Sequence, residues 1–384
     1  MLPLAVGAAL LVAGCAAPTP APAPAGCVPG VEPPHPSAPF RFARNVTLRD
    51  GPGYRVLTVA QPTPGGVPQS TVLVGCGAPD PVLPPELAGA AVLRTPVSGI
   101  FAGSTTQLPF VTELGVLDRL TGVGDPALVS DPAVRARVDT GSVTAFAPGG
   151  TIAAEAVIAV APPVVLSGGV DDPAFPALRA ARIPVIGWAD YLEQGPLAQA
   201  EWIKVMGALT GRDAEADRAF DTTAARYAAL AGRVRTQPLV PVAVGQPYQG
   251  VWNVPAGGST TGTLLRDARA SWSAAATSAA GSLPRSLEAV LATDGSARIW
   301  LADGPLRSTA DVAGIDPRLR AMAAARPGGQ IWTRDKLQGA GGGNQYYERG
   351  VAHPDEILAD LVAILHPQAT PGHRTLYYQP VSAG

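Results

Sequence analysis

The stretch PLAQAEWIKVMGALTGRDAEADRAFDTTAARYAALAGRV, residues 196–234, decides how the chain is divided. Pro196 suits a first helical turn, where its missing N–H costs nothing. Trp202, Val205, Met206 and Leu209 follow at helical spacing, and Gly211 ends that helix. Asp213 is expected to cap a second helix, with Phe220, Ala224, Tyr227, Ala231 and Val234 on one face. At ~1.5 Å per residue, residues 213–235 reach roughly 34 Å, enough to pass from one domain to another. The expected organisation is an N-terminal lobe over 40–211, an interlobe helix over 212–236 and a C-terminal lobe over 237–384.

On both sides of that helix, short apolar runs alternate with helical patterns. Helical Ala153–Val160 precedes Val164-Val165-Leu166, and Leu178–Arg182 precedes Ile183-Pro184-Val185-Ile186. In the second half, Leu239–Val244 reads as a strand, Leu287–Leu291 as a helix, and Ile299–Leu301 and Gln330–Trp332 as strands. Continuous apolar strands between helices mark sheets covered on both faces. The fold class is α/β, with two lobes, each a mostly parallel sheet flanked by helices, joined by a long rigid helix. A small β-ribbon over 40–94 precedes the main domain, because Tyr54–Val59 and Thr71–Val74 favour strands between Pro and Gly breaks. Glu155-Ala156-Val157-Ile158-Ala159 echoes Glu288-Ala289-Val290-Leu291-Ala292, and each leads to a strand and a glycine, Gly168 or Gly304.

Leu2–Val12 is apolar and far shorter than the roughly 20 residues that span a bilayer. It ends in Val12-Ala13-Gly14-Cys15, which resembles a bacterial lipobox. Residues 1–14 are expected to be a signal peptide and Cys15 a lipidated N-terminus on the outer face of the cytoplasmic membrane. The Pro/Ala-rich residues 15–39 form the spacer. Export permits Cys27 and Cys76 to form a disulfide, and the sequence leaves open whether they approach each other.

A net charge of −2 gives nucleic acid no footprint. A hydrolase needs a nucleophile, a base and an orienting acid, and there is no Gly-x-Ser-x-Gly elbow. The histidines are His35, His353, His366 and His373, so none lies between Phe40 and Ala352 to build a bare-metal site across both halves. Gly339–Gly343 lacks the Gly-Lys-Ser/Thr of a phosphate loop.

Several segments, in order and spacing, resemble one family. They are Ser104–Pro109, Leu114–Asp118, Pro196-Leu197 with Ala200–Lys204, Trp252 with Val254-Pro255, Gly342–Asn344 with Tyr347-Glu348, Leu365–Pro367 and Leu376–Tyr378. The chain resembles the class III substrate-binding proteins of ABC importers for iron–siderophores, haem and vitamin B12, in a lipoprotein subgroup. Departures fall at Gln107, where that subgroup often has His, and at Gln345-Tyr346-Tyr347, where it often has Asp-Tyr-Trp.

The resemblance implies a non-catalytic protein with no cofactor, whose partners are a small-molecule ligand, the membrane through its anchor, and an ABC permease with its ATPase. The ligand implied is a ferric siderophore-like chelate, with cobalamin or haem as the alternative. An exported hydrolase or an adhesion module is the more distant reading. Ligands of open α/β sheets bind beyond the carboxyl ends of the strands. Candidate contacts there are Thr105, Thr106, Gln107, Gly150, Tyr248, Trp252, Lys336, Asn344, Tyr346 and Arg349. Trp272 and Trp300 are expected in the core. The resemblance also implies one acidic docking residue per lobe, placed at Glu155 and Glu288.

Overall fold

The computed structural model describes residues 26–29 and 38–382, so Cys15, the signal segment and most of the spacer lie outside the described residues. The first sheet is formed by β1 (Val46–Gly51), β2 (Tyr54–Val59), β3 (Gln69–Gly75) and β4 (Ala91–Thr95), in that order. This element is larger than the expected ribbon. β4 pairs parallel to β3, and Val46, Leu57, Leu73 and Leu93 share one core with Ile100, Phe110 and Trp202. The inward-facing alternate residues therefore serve the N-terminal lobe rather than a separate module. Cys27 and Cys76 are joined, with sulfurs 2.02 Å apart.

Five parallel strands follow: β5 (Ile100–Ala102), β6 (Leu120–Val123), β7 (Thr144–Ala145), β8 (Val165–Ser167) and β9 (Val185–Gly187). Their order is β7-β6-β5-β8-β9, so the direction of winding reverses between β5 and β8. The connections carry α1 (Leu108–Glu113), α2 (Pro132–Asp139), α3 (Ala154–Val160) and α4 (Phe175–Ala180). At the β9 edge, the Gln69 amide stands in for a missing strand. It donates to Val185 O and accepts from Gly187 N–H, each at 2.8 Å.

α5 (Pro196–Ala200) and the wholly buried α6 (Ile203–Thr210) lead to α7 (Asp213–Val234). Gly211, at φ 67°, terminates α6 in the left-handed conformation. Asp213 does not cap α7: Arg212 holds the cap position, and the Asp213 carboxylate is buried against Arg55 Nη1 at 2.6 Å. α7 lies against both α6 and the last long helix. Its Phe220 belongs to the N-terminal core, and its Tyr227 and Val234 to the C-terminal core.

The second lobe contains β10 (Val240–Val244), β11 (Pro247–Tyr248), β12 (Val251–Pro255), β13 (Ala270–Ser271), β14 (Ser282–Arg285), β15 (Ile299–Ala302), β16 (Gln330–Thr333) and β17 (Gln379–Pro380). Its main sheet runs β13-β10-β15-β16-β17, parallel except for the β17 edge, and β11-β12-β14 form a separate antiparallel sheet. Helices α8 (Thr260–Asp267), α9 (Leu287–Thr293), α10 (Thr309–Ile315), α11 (Arg349–Ala352) and α12 (Pro354–Leu365) complete it. The α/β expectation of mostly parallel sheets flanked by helices is met. Among the described residues, no helix is long and apolar enough to cross a membrane.

Candidate functional site

Three neighbouring strands of the first lobe's parallel sheet are each followed directly by a glycine: Gly103 after β5, Gly124 after β6 and Gly168 after β8. A Cβ on Gly103 would come within 2.7 Å of Leu166 O, and one on Gly124 within 3.0 Å of Gly103 O. Only glycine allows these strand ends to converge so closely. Around them is a cavity of about 200 Å³, lined by Ser104, Thr105, Asp125, Leu128, Gly150 and Ser167, among others. It sits where the winding reverses between β5 and β8, the general position for a ligand in an open α/β sheet. All its lining residues belong to the first lobe.

Of the expected contacts, Thr105 and Gly150 line this cavity. Gln107 lies behind it, fully buried, donating to Ser167 O at 2.8 Å, and so braces two of the converging strand ends. Thr106 bonds Ser104 Oγ at 3.1 Å and also the buried Asp190 carboxyl, which burial pushes up to about 7 against the pull of that hydroxyl. The cavity's two carboxylates serve backbone. Asp125 accepts from Ala127 N–H at 2.9 Å, and Asp172 from Ala174 N–H at 2.8 Å.

In the second lobe, Asn344 and Tyr346 meet at a residue that sequence reading missed, Arg334, just beyond β16. Asn344 donates to Arg334 O at 3.0 Å. The Arg334 guanidinium stands 4.9 Å from the Tyr346 ring centre and 5.1 Å from that of Tyr347, and pairs with Asp303 at 2.6 Å. Asp303 follows β15 directly, so the pair marks the carboxyl ends of two neighbouring strands. Tyr347 keeps 48% of its surface exposed.

The remaining candidates lie elsewhere. Trp252 is fully buried, and its indole donates to Val244 O at 2.8 Å, so its face serves the core as those of Trp272 and Trp300 do. Tyr248 is exposed at the tip of the β11–β12 hairpin. Lys336 bonds Thr375 O, and Arg349 forks onto Glu356 at 2.9 and 2.6 Å. Gly103, directly after Ile100-Phe101-Ala102, and Gly168, one serine after Val164-Val165-Leu166, had a legible signal, whereas Gly124 follows the mixed Leu120-Thr121-Gly122-Val123. Arg334 had none, because its two aromatic neighbours lie 12 and 13 residues further along an irregular loop.

Residues 100–328 match the family of periplasmic binding proteins. The chain belongs to that family. Solved structures similar to this family member include a periplasmic haem-binding protein from Pseudomonas aeruginosa. The two share 21% identity and a TM-score of 0.55, over 74% of this chain and 98% of that one. A possible iron-binding periplasmic solute-binding protein from Staphylococcus epidermidis gives 17% identity and a TM-score of 0.54, over 70% and 98%. At such identities the likeness is one of fold. An uncharacterized lipoprotein of Methanocaldococcus jannaschii is 23% identical over 197 residues. That match spans 51% of this chain and 45% of the relative, less than half its length.

Proposed function

We propose that the chain is the extracytoplasmic solute-binding lipoprotein of an ABC importer, capturing a ferric siderophore-like chelate and delivering it to the permease. The observation that carries this reading is the glycine-lined cavity at the winding reversal of a periplasmic binding protein fold. Ligand pockets generally run to ~300–1,000 Å³. A cavity of about 200 Å³ takes one part of a chelate, and the remainder lies towards the second lobe and its Arg334–Tyr347 face. A planar guanidinium held on aromatic rings suits an anionic ligand. Calorimetric titration with ferric chelates, cobalamin and haem tests the assignment. Binding of a ferric chelate at micromolar concentration or tighter is expected. A Gly168→Leu variant should weaken it at least tenfold, since a Cβ there meets only Gly103 O, at 3.7 Å, and the longer side chain occupies the cavity. If no ferric chelate binds at micromolar levels, the iron assignment fails.

Delivery rests on two surface carboxylates. Glu155 and Glu288 are each the second residue of a short helix, α3 and α9. Each helix feeds the strand that pairs beside the first parallel strand of its lobe, β8 on β5 and β15 on β10. Both glutamates are exposed, although Glu288 is engaged by Arg318. Two carboxylates in matching places suit two copies of one basic patch on a two-fold permease, with Cys15 holding the protein at the membrane through its lipid. Exposed ion pairs contribute only ~0.2–1 kcal/mol each, so their main effect is on orientation and encounter. In whole-cell uptake, the Glu155→Ala/Glu288→Ala variant and Cys15→Ser should each slow transport while ligand affinity stays unchanged. Wild-type uptake by the double variant would remove the docking role, and unchanged membrane retention of Cys15→Ser would remove the anchor.

A further inference from the structure

The second lobe meets the first through α11, whose Ala352 packs into the first-lobe core and is followed by His353 at 3.4 Å from Glu113, and through the preceding loop, residues 337–348, where the contact is made by a buried carboxylate. Glu348 is 1% exposed. Its Oε2 accepts from Ser130 N–H at 2.7 Å and from the Ser130 hydroxyl, and its Oε1 accepts from Asp131 N–H at 3.0 Å. Gln345 adds a bond to Ser130 Oγ at 3.3 Å. These partners are 215–218 positions apart in sequence and belong to opposite lobes.

The loop is shaped for this approach. A Cβ on Gly341 would fall 2.1 Å from Ala127 O, and one on Gly343 would fall 2.0 Å from Leu128 O. Gly342 between them has φ 90°. At Gly341 and Gly343 backbone therefore lies on backbone, with no room for a side chain. The segment being gripped also forms a wall of the cavity, since Asp125, Leu128 and Val129 line it just ahead of Ser130. One short segment faces the cavity on one side and the opposite lobe on the other.

We propose that Glu348 is an interlobe latch, a positioning residue that holds the Asp125–Asp131 wall over the cavity, so that ligand is admitted only when its bonds to Ser130 and Asp131 release. The contact is suited to release. Among the described residues, no lysine or arginine pairs with Glu348, and three donors from the other lobe are its whole compensation. Burial pushes its carboxyl above the usual range, against those three bonds. A carboxylate held in this way is stabilised only while the lobes meet. The role of gate rests on the ligand-binding reading above, whereas the latch itself does not.

The test uses the full chain without ligand, as Glu348→Ala and Glu348→Gln. Hydrogen exchange at the Ser130 and Asp131 amides should accelerate at least tenfold in Glu348→Ala. It should accelerate less in Glu348→Gln, whose carbonyl still accepts. The radius of gyration from X-ray scattering should rise in Glu348→Ala while its melting temperature stays within a few degrees of wild type. Stopped-flow mixing with a ferric chelate should then show a severalfold faster association. Unchanged exchange at both amides would overturn the latch. Faster exchange with an unchanged radius and an unchanged association rate would reduce Glu348 to a local cap, and that also overturns it. If neither wild type nor variant binds any chelate, the ligand reading falls, and the exchange and scattering results still decide the latch.

Discussion

Glu201→Ala should lower the melting temperature by about 5 °C, the largest single loss expected in the first lobe. Glu201 is fully buried on the turn between α5 and α6. Its Oε1 accepts from Arg41 N–H at 2.8 Å, and its Oε2 accepts from Phe42 and Ala43 N–H at 2.7 and 2.9 Å. Glu193 continues the set, taking Arg44 and Asn45 N–H at 2.8 and 3.0 Å. Two carboxylates thus hold five consecutive amides of the segment ahead of β1, a segment that has no strand partner of its own. Glu201 also pairs with the buried Lys204 at 3.0 Å. Removing one partner of a buried ion pair typically costs ~3–5 kcal/mol, because the other charge stays buried. Lys204 would keep the Pro39 and Ala38 carbonyls, Asp217 at 3.8 Å and the faces of the Phe40 and Phe220 rings, with no carboxylate within hydrogen-bond distance. At ~2.1 cal/mol/K per residue, roughly 350 residues unfolding as one unit shift by ~1.4 °C per kcal/mol, so a loss of about 4 kcal/mol gives the stated shift. Glu201→Gln should fall between, and Glu201→Met/Lys204→Met should recover part of the loss, since it leaves no orphan charge. Thermal unfolding followed by circular dichroism reads all three. A Glu201→Ala protein melting within 2 °C of wild type would show that the clasp contributes little.

Nothing local in the sequence marks that clasp. Glu201 and Glu193 meet amides 148–160 positions away, and a glutamate on a helix reads like any solvated glutamate until its neighbours are known. The same holds for Asp213, read as a cap and found as the partner of Arg55, 158 positions away. What periodicity governs was legible. The sevenfold spacing of Phe220, Tyr227 and Val234 placed one face of α7, and the structure buries all three. The apolar runs became β8, β10, β15 and β16. The candidate site was legible in its backbone and much less so in its side chains. Loops after strands, with their glycines, follow from the strand assignments. An aromatic has the same composition in a cleft and in a core, and only sheet register separates the two. Trp252, paired opposite Pro247 and Arg285 in the middle strand of its small sheet, turns inward, whereas Tyr248, next to Pro247, turns out.

Asp360→Ala should cost the second lobe a comparable amount and also disturb the Arg334 face. Asp360 is fully buried on α12. Its Oδ2 accepts from Leu376, Tyr377 and Tyr378 N–H at 2.9, 2.7 and 3.2 Å, and His373 Nε2 lies 2.8 Å from its Oδ1. Hydrogen bonds to a charged group contribute ~1.5–3 kcal/mol each, and bonds sharing one carboxylate do not simply add. A loss of about 4 kcal/mol is therefore expected. The segment they hold carries Tyr377 and Tyr378 edge-on to Tyr346, with ring centres 6.0 and 5.9 Å away, and Tyr346 in turn underlies Arg334. Freed amides at Leu376–Tyr378 would let these rings shift, so the variant should lose near-ultraviolet tyrosine dichroism and bind an anionic chelate at least tenfold more weakly. Glu201→Ala, whose contacts lie in the other core, should melt earlier but leave that tyrosine signal intact at 25 °C. Because α7 places Phe220 in one core and Tyr227 and Val234 in the other, the two lobes should unfold together, and the losses from the two variants should add when combined. Two separate melting steps would show that α7 does not couple the lobes. An Asp360→Ala protein with wild-type dichroism and wild-type melting would remove the link from this carboxylate to the tyrosine wall.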